Sequence, residues 1–300
     1  MAMIRYCDKR LSAPKLAVIA QANAIIAEYA EQGYDLTLRQ LYYQFVSRDL
    51  IPNNQSEYKR LGDIVSDGRR AGLIDWDAIV DRTRNLRAPS TWQGPAEIVQ
   101  ACAEQFKIDL WATQTYRPEV WVEKDALVGV LEVACAEHQV PYFSCRGYTS
   151  DSEAWSAAQR MKRAAKAGQT PIVFHLGDHD PSGIDMTRDI AARVKLFSGL
   201  PIPVKRLALN MDQVEHYRPP PNPAKATDAR FAGYQDLYGD ESWELDALDP
   251  QTIAALIREA LEGLIEAGAW ALATEEQSRH REQLRVVAGS WGEIVAEDND

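Results

Sequence analysis

The residues of this chain best suited to chemistry are three acids that follow apolar runs. Val120-Trp121-Val122 leads into Glu123-Lys124, and Val173-Phe174-His175-Leu176 leads through Gly177 into Asp178-His179-Asp180-Pro181-Ser182-Gly183. Each run has the length of a buried strand, and in a parallel sheet binding sites form outside the carboxyl ends of the strands. Asp178 and Asp180, two apart past such an end, can face the same way, and Glu123 adds a carboxylate from a second strand. Three clustered carboxylates repel one another unless a cation neutralises them. Oxygen donors alone select a hard ion, so the expectation is one or two Mg²⁺ ions held by Glu123, Asp178 and Asp180, in the service of chemistry on phosphate. Pro181-Ser182-Gly183 then turns into a helix whose N-terminal amides also favour an anion.

A second candidate is a tyrosine. Leu38, Leu41, Tyr42 and Phe45 fall at i, i+3, i+4 and i+7 and predict one apolar helix face. Tyr43 lies about 100° away from it and shares its own side with Arg39 and Ser47. The expectation is an exposed phenol with a guanidinium beside it, facing a phosphate. A phenol of ordinary pKa is a poor nucleophile at neutral pH and needs a cation, base or metal to activate it.

The elements that must position these groups divide in two. In the first hundred residues, Ala17 to Tyr29 has helical periodicity; Thr37 with Gln40 three on is a capping-box start for the tyrosine helix, and Ser56 begins a third helix that Gly72 stops. With a returning strand at Leu73-Ile74 and Trp76, this order is that of a winged helix-turn-helix, an all-helical DNA-binding unit with its wing. Lys59, Arg60, Arg69 and Arg70 on the third helix are then the candidate DNA contacts, with Lys124 beside the acids. From Glu119 onward, short apolar runs alternate with helices: strands at 120–122, 140–144, 171–176 and 204–209, helices at 126–137, 152–167 and 184–196. That alternation predicts an α/β unit with a Rossmann-like parallel sheet. A proline-rich break at 218–224 precedes a helix expected over Thr252 to Trp270. The domain division read from this is 1–95 for the tyrosine-bearing unit, 96–118 as linker, 119–235 for the sheet domain, and 236–300 as an acidic helical extension packed on it.

Composition sets the outer limits. A chain of 300 residues with 46% hydrophobic and 26% charged residues excludes a disordered, collagenous or disulfide-stapled protein. The net charge of −11 argues against nucleic acid until its distribution is read. Residues 236–300 hold 16 acidic and 4 basic residues, whereas residues 1–235 hold 28 and 29. The acidity is local, and the plain expectation for it is a solvated helical face. Four scattered cysteines without a CxxC pair suggest neither zinc nor disulfides and fit a reducing cytoplasm. No run of about 18 apolar residues predicts a membrane span.

Taken together, these motifs resemble the A subunit of type IIB DNA topoisomerases (topoisomerase VI) and the related meiotic double-strand-break transesterases, especially the small stand-alone Mini-A proteins of viruses and plasmids. That family joins a tyrosine-bearing winged helix to a Toprim domain. Its Arg-acid-hydrophobic-Tyr/Phe-Tyr motif is similar to Arg39-Gln40-Leu41-Tyr42-Tyr43, with Gln40 in place of the acid; its Toprim motifs are similar to Glu123-Lys124, Arg146-Gly147-Tyr148 and Asp178 to Gly183. Glu244-Leu245-Asp246-Ala247-Leu248 resembles a further family segment, with Asp246 for a Glu. The resemblance implies double-stranded DNA as substrate, Tyr43 as the nucleophile of a 5′-phosphotyrosyl link, and Arg39 steadying the phosphate. It further implies Asp178 and Asp180 on Mg²⁺, Glu123 on metal or exchanging a proton with the leaving 3′ oxygen, and a homodimer in which tyrosine and Toprim site come from different protomers. The location expected is the nucleoid. The sequence carries no glycine-rich nucleotide-binding motif, so ATP-driven strand passage is expected to need a separate ATPase B subunit of the GHKL type.

Three other readings fit parts of the pattern. A Toprim nuclease would hydrolyse DNA with water and leave Tyr43 structural. A winged-helix regulator would leave the acids without a role. A phosphatase of the Asp-x-Asp kind is disfavoured, because Pro181-Ser182 stands where that chemistry expects its signature.

Overall fold

The computed structural model describes residues 3–80 and 89–291. The protein is mixed α/β, built on a four-stranded parallel sheet.

The N-terminal part is helical. Helix α1 (Ala13–Glu31) is followed by α2 (Leu38–Ser47), which begins as the sequence predicts: Thr37 accepts the Gln40 amide, and the Gln40 side chain accepts the Thr37 amide in return. Helix α3 (Gln55–Arg70) starts at an Asn54 cap, and Gly72 follows it with a positive φ of 72°. Ile19, Ile25, Leu41, Phe45, Leu61 and Ile64 close this helical core. The strand expected at Leu73-Ile74 and Trp76 does not form: the segment is turn and bend, and only Ala71 and Ile79 make single bridges, to Arg5 and Leu36. Arg69 explains the difference, because its guanidinium donates to the Trp76 and Ile79 carbonyls that a strand would have paired.

Residues 96–118 are structured. Helix α4 (Pro95–Gln105) and a 3-10 turn at Leu110–Thr113 lead directly into β1 (Tyr116–Val122). After β1 come α5 (Val128–Glu137), β2 (Tyr142–Ser144), α6 (Asp151–Lys166), β3 (Thr170–Leu176), α7 (Pro181–Ser198) and β4 (Val204–Ala208). The strand order is β2-β1-β3-β4, with every pair parallel. Pleating sends successive side chains to opposite faces. Val120 and Val122 therefore enter a core with Leu127, Leu131, Ile253 and Ile257, while Trp121 packs with Met161, Val173, Ile190 and Val194 on the other side.

Register is what the site depends on. Val122 pairs with Ser144 and with Leu176, and Leu176 pairs with Ala208, so the carboxyl ends of the strands stand level.

Past β4, α8 (Met211–Tyr217) leads to a two-stranded ribbon, β5 (Asn222–Pro223) and β6 (Glu241–Ser242), with α9 (Phe231–Tyr238) between its strands. The chain then re-enters the fold. Trp243, Leu245 and Leu248 are core residues. The helix expected over 252–270 is two helices, α10 (Pro250–Glu262) and α11 (Ala267–Gly289), broken at Gly263–Glu266. The apolar stripe of α10 runs on into Leu264 and Ile265, which pack in the core from the break itself. Helix α11 lies along the segment before β1: Gln277 accepts the Ile108 amide, and Arg281 donates to the Phe106 carbonyl. No helix among the described residues is long and apolar enough to cross a membrane.

Two buried histidines give the fold a pH dependence. His175, fully buried in β3, is pushed down to about 3 by burial, with the Arg206 charge adding to it. His179 is pushed down to about 4 for the same two reasons. Both are neutral in the folded protein, whereas in the unfolded chain each takes up a proton below about pH 6.5. Stability is therefore lost as pH falls from about 6.5, by roughly 2 kcal/mol per histidine at pH 5. Glu123 and Asp178, raised by burial, act in the opposite sense, so the histidine contribution is read by difference: between pH 7 and pH 5, His175→Phe is expected to lose roughly 2 kcal/mol less in urea unfolding than the wild type. An unchanged difference in that variant would contradict the assignment.

Candidate metal centre at the sheet edge

The level strand ends place Glu123 and Asp178 side by side. The Glu123 amide donates to the Leu176 carbonyl (2.8 Å), and its Oε2 accepts the Asp178 amide (2.9 Å), so the first acid holds the loop that carries the second. Burial raises the Glu123 carboxyl above its ordinary range, against the pull of that amide and of Lys124. Asp178 is buried. Its Oδ1 accepts the Leu245 amide (2.8 Å), and its Oδ2 pairs with the Lys124 ammonium (2.8 Å). Burial pushes its carboxyl up, Lys124 pulls it down, and Glu123, Glu244 and Asp246 push it up again.

Asp180 caps α7, accepting the Gly183 amide (2.6 Å) and the Ser182 hydroxyl (2.9 Å). His179, between the two aspartates, is buried among Tyr234, Tyr238 and Trp243, and its backbone exchanges two hydrogen bonds with Trp243. The loop is stapled from the far side by Arg206 of β4, whose guanidinium donates to the carbonyls of Gly177 (2.9 Å), Asp178 (2.5 Å), Gly183 (2.8 Å) and Leu209 (3.1 Å). Burial lowers Arg206 to about 10, which leaves it a cation at neutral pH.

The C-terminal segment completes the site. Glu244 and Asp246 bring their carboxylates beside Asp178, and one oxygen from each of the three lies within 4.8 Å of the other two. These three form an acidic triad able to hold a metal ion. The triad differs from the expected set of Glu123, Asp178 and Asp180. Glu123 accepts the Asp178 amide and Asp180 caps α7, whereas Glu244 and Asp246 turn their carboxylates toward Asp178, where Lys124 and Arg39 engage them. Lys124 sits among the three, pairing with Asp178, with Asp246 (3.0 Å) and with Glu244. Burial opposes its charge, but Asp178, Asp246 and Glu244 outweigh burial and raise its pKa.

Arg39 of α2 reaches the same acids, donating to Asp246 (2.5 Å) and pairing with Glu244, and its guanidinium lies over the Tyr43 ring at 5.7 Å. Tyr43 is not on an exposed face: only 4% of its surface is accessible, because the side it shares with Arg39 is covered by the Glu244–Asp246 segment. Burial first, then Asp246 and Glu244, raise its phenol far above the ordinary value.

Tyr43, Arg39, Glu123, Lys124, Asp178 and Asp180 all line one cleft of about 760 Å³, together with Trp243 and Glu244. The candidate DNA contacts of α3 stand apart from it. Lys59, Arg60 and Arg70 are exposed, with Arg60 paired to Glu57. Arg69 is not available as a contact, since it is turned onto the Trp76 and Ile79 carbonyls and stacked on the Trp76 ring.

Sequence reasoning missed Glu244, Asp246 and Arg206 as site residues. The first two had a signal in the Glu244-Leu245-Asp246 alternation, which buries the leucine and turns both acids the other way. Arg206 had a fainter one, as a charged residue inside a strand that covers buried groups. No family model, curated protein or solved structure matches the chain.

Gly183 carries a sharp test of the loop. A Cβ there would lie 2.2 Å from the Asp178 carbonyl oxygen, which Arg206 pins in place. Gly183→Ala is expected to cost about 2–3 kcal/mol in urea unfolding, in the range of overpacking substitutions. Gly268→Ala, where a Cβ meets open space, is the control and is expected to be neutral or slightly stabilising. Equal behaviour of the two variants would refute the close approach.

Proposed function

We propose that the protein is a Mg²⁺-dependent DNA-cleaving enzyme of the topoisomerase VI A type, with Tyr43 as nucleophile. The observation that carries this reading is the shared cleft. A tyrosine, its guanidinium neighbour and the strand-end carboxylates, far apart in sequence, line one concave site. The donor set suits the ion, since every ligand is a carboxylate oxygen and the buried triad already gathers around a positive charge. Asp178 with Glu244 and Asp246 would hold Mg²⁺, with Asp180 beside them as a ligand for a second ion. When bound, the metal supplies positive charge for the phosphate oxygens.

The rest falls to the chain's own residues. Tyr43 Oη gives up its proton to water in the cleft and forms a bond to phosphorus as the bond to the 3′ oxygen breaks, leaving a 5′-phosphotyrosyl link. Arg39 steadies the phosphate, and Glu123, raised by burial, holds a proton for the leaving 3′ oxygen. The N-terminal helices are read as a winged helix-turn-helix that presents Lys59, Arg60 and Arg70 to duplex DNA, and the sheet unit as a Toprim domain. Tyr43 and the carboxylates meet within one chain, so cutting one strand asks nothing of a second copy. A homodimer would cut both strands, and coupling to ATP would come from a separate GHKL-type B subunit. Such an enzyme would work at the nucleoid.

The burial of Tyr43 and its raised phenol favour a second reading, in which water is the nucleophile at the same acids and Tyr43 is structural. The two separate cleanly. Supercoiled plasmid incubated with the protein and Mg²⁺ is stopped with detergent, with and without protease. Linear or nicked DNA that needs protease to migrate normally is the expected result, with Tyr43→Phe lowering adduct by about 10³-fold or more and Asp178→Asn abolishing cleavage. Cleavage that survives Tyr43→Phe without adduct would establish the hydrolytic reading instead.

A further inference from the structure

Among the described residues, Lys124 is the one cation that touches all three carboxylates of the triad. Its ammonium lies 2.8 Å from Asp178 and 3.0 Å from Asp246, and pairs with Glu244 as well. Arg39 takes a second oxygen of Asp246 and shares Glu244, so two cations face three anions. The oxygens that Lys124 engages are those a divalent ion would need. A divalent ion and an ammonium cannot both stand within about 3 Å of the same oxygens without strong mutual repulsion.

We propose that Lys124 is a resident counter-ion of the triad and that a divalent metal binds by displacing it, so that metal loading and release of the Lys124 ammonium into the cleft are one event. This rests on the reading of the triad as the metal site given above. In this role the ammonium supplies the positive charge that buried carboxylates require. It also sets what Lys124 does next: a lysine freed among Arg39, Ser182 and Tyr43 in the same cleft faces the substrate phosphate. Metal-free protein therefore lacks both the metal and this phosphate contact, and gains the two together. Lys124 acts here as a positioning residue, because it works through the carboxylates it occupies.

The test uses the full chain without DNA. Wild-type protein is treated with a limiting amine-acylating reagent with and without saturating Mg²⁺, and modification at each lysine is read by mass spectrometry. Lys124 modification is expected to rise at least fivefold with Mg²⁺, with exposed Lys59 as the unchanged reference. No rise would overturn the proposal. In parallel, Tb³⁺ binding is followed by luminescence sensitised from Trp243 in the cleft. Lys124→Met is expected to bind Tb³⁺ at least tenfold more tightly than wild type, Lys124→Arg within threefold of wild type, and Lys124→Met with Asp178→Asn to lose the site. Equal or weaker binding by a folded Lys124→Met would refute displacement; if that variant does not fold, the labelling of wild type decides alone. Neither readout depends on cleavage, so a protein that fails to cut DNA but passes both sinks the function and leaves the role of Lys124 standing.

Discussion

Negative charge gathered at the carboxyl edge of a parallel sheet must be compensated, and the rest of the site is arranged around that need. Asp178 is buried with Glu244 and Asp246 beside it and Glu123 behind it. Uncompensated, such a cluster costs several kcal/mol per buried charge, comparable with the whole net stability of a domain. Three cations answer it from three elements: Lys124 from the end of β1, Arg39 from α2 and Arg206 from β4. The first two pair with the carboxylates themselves, and Arg206 grips the backbone of the loop that holds Asp178. The ion pairs thus tie the tyrosine helix to the sheet, and Tyr43 is buried as a consequence.

The Asp178–Asp180 loop is held by neutral interactions of comparable weight. His179 is kept uncharged by burial in a ring of Tyr234, Tyr238 and Trp243, and the Tyr234 hydroxyl donates to the His179 carbonyl (2.9 Å). A charged imidazole there would add to the Arg206 cation and loosen the loop. Gly183 then lets α7 start directly against the Asp178 carbonyl, where any side chain would collide. The two aspartates therefore point differently despite their spacing: Asp178 turns into the triad, and Asp180 turns back to cap its helix.

The acidic C-terminal part takes on a different meaning in this frame. Its charge is not only a solvated helical face, since Glu244 lines the cleft, Asp246 joins it in the triad, and Glu266 accepts the Thr115 hydroxyl just before β1. The segment that makes the whole-chain charge look hostile to nucleic acid contributes the carboxylates that would draw a metal to it.

Local rules were legible in the sequence. The capping box at Thr37, the four strands and the helices between them follow from side chains a few residues apart. That acids gather at the strand ends was legible too, although of the three expected only Asp178 belongs to the triad. What lay beyond local reach was decided by tertiary structure. That Asp246 and not Asp180 shares space with Asp178, that Arg39 spends its charge on carboxylates, that Arg69 cancels a strand and that Tyr43 lies under cover all depend on segments brought together across the chain. Sequence spacing determines which face of its own element a side chain occupies; only the packing of elements determines what that face meets, and electrostatic pairing is settled by the meeting.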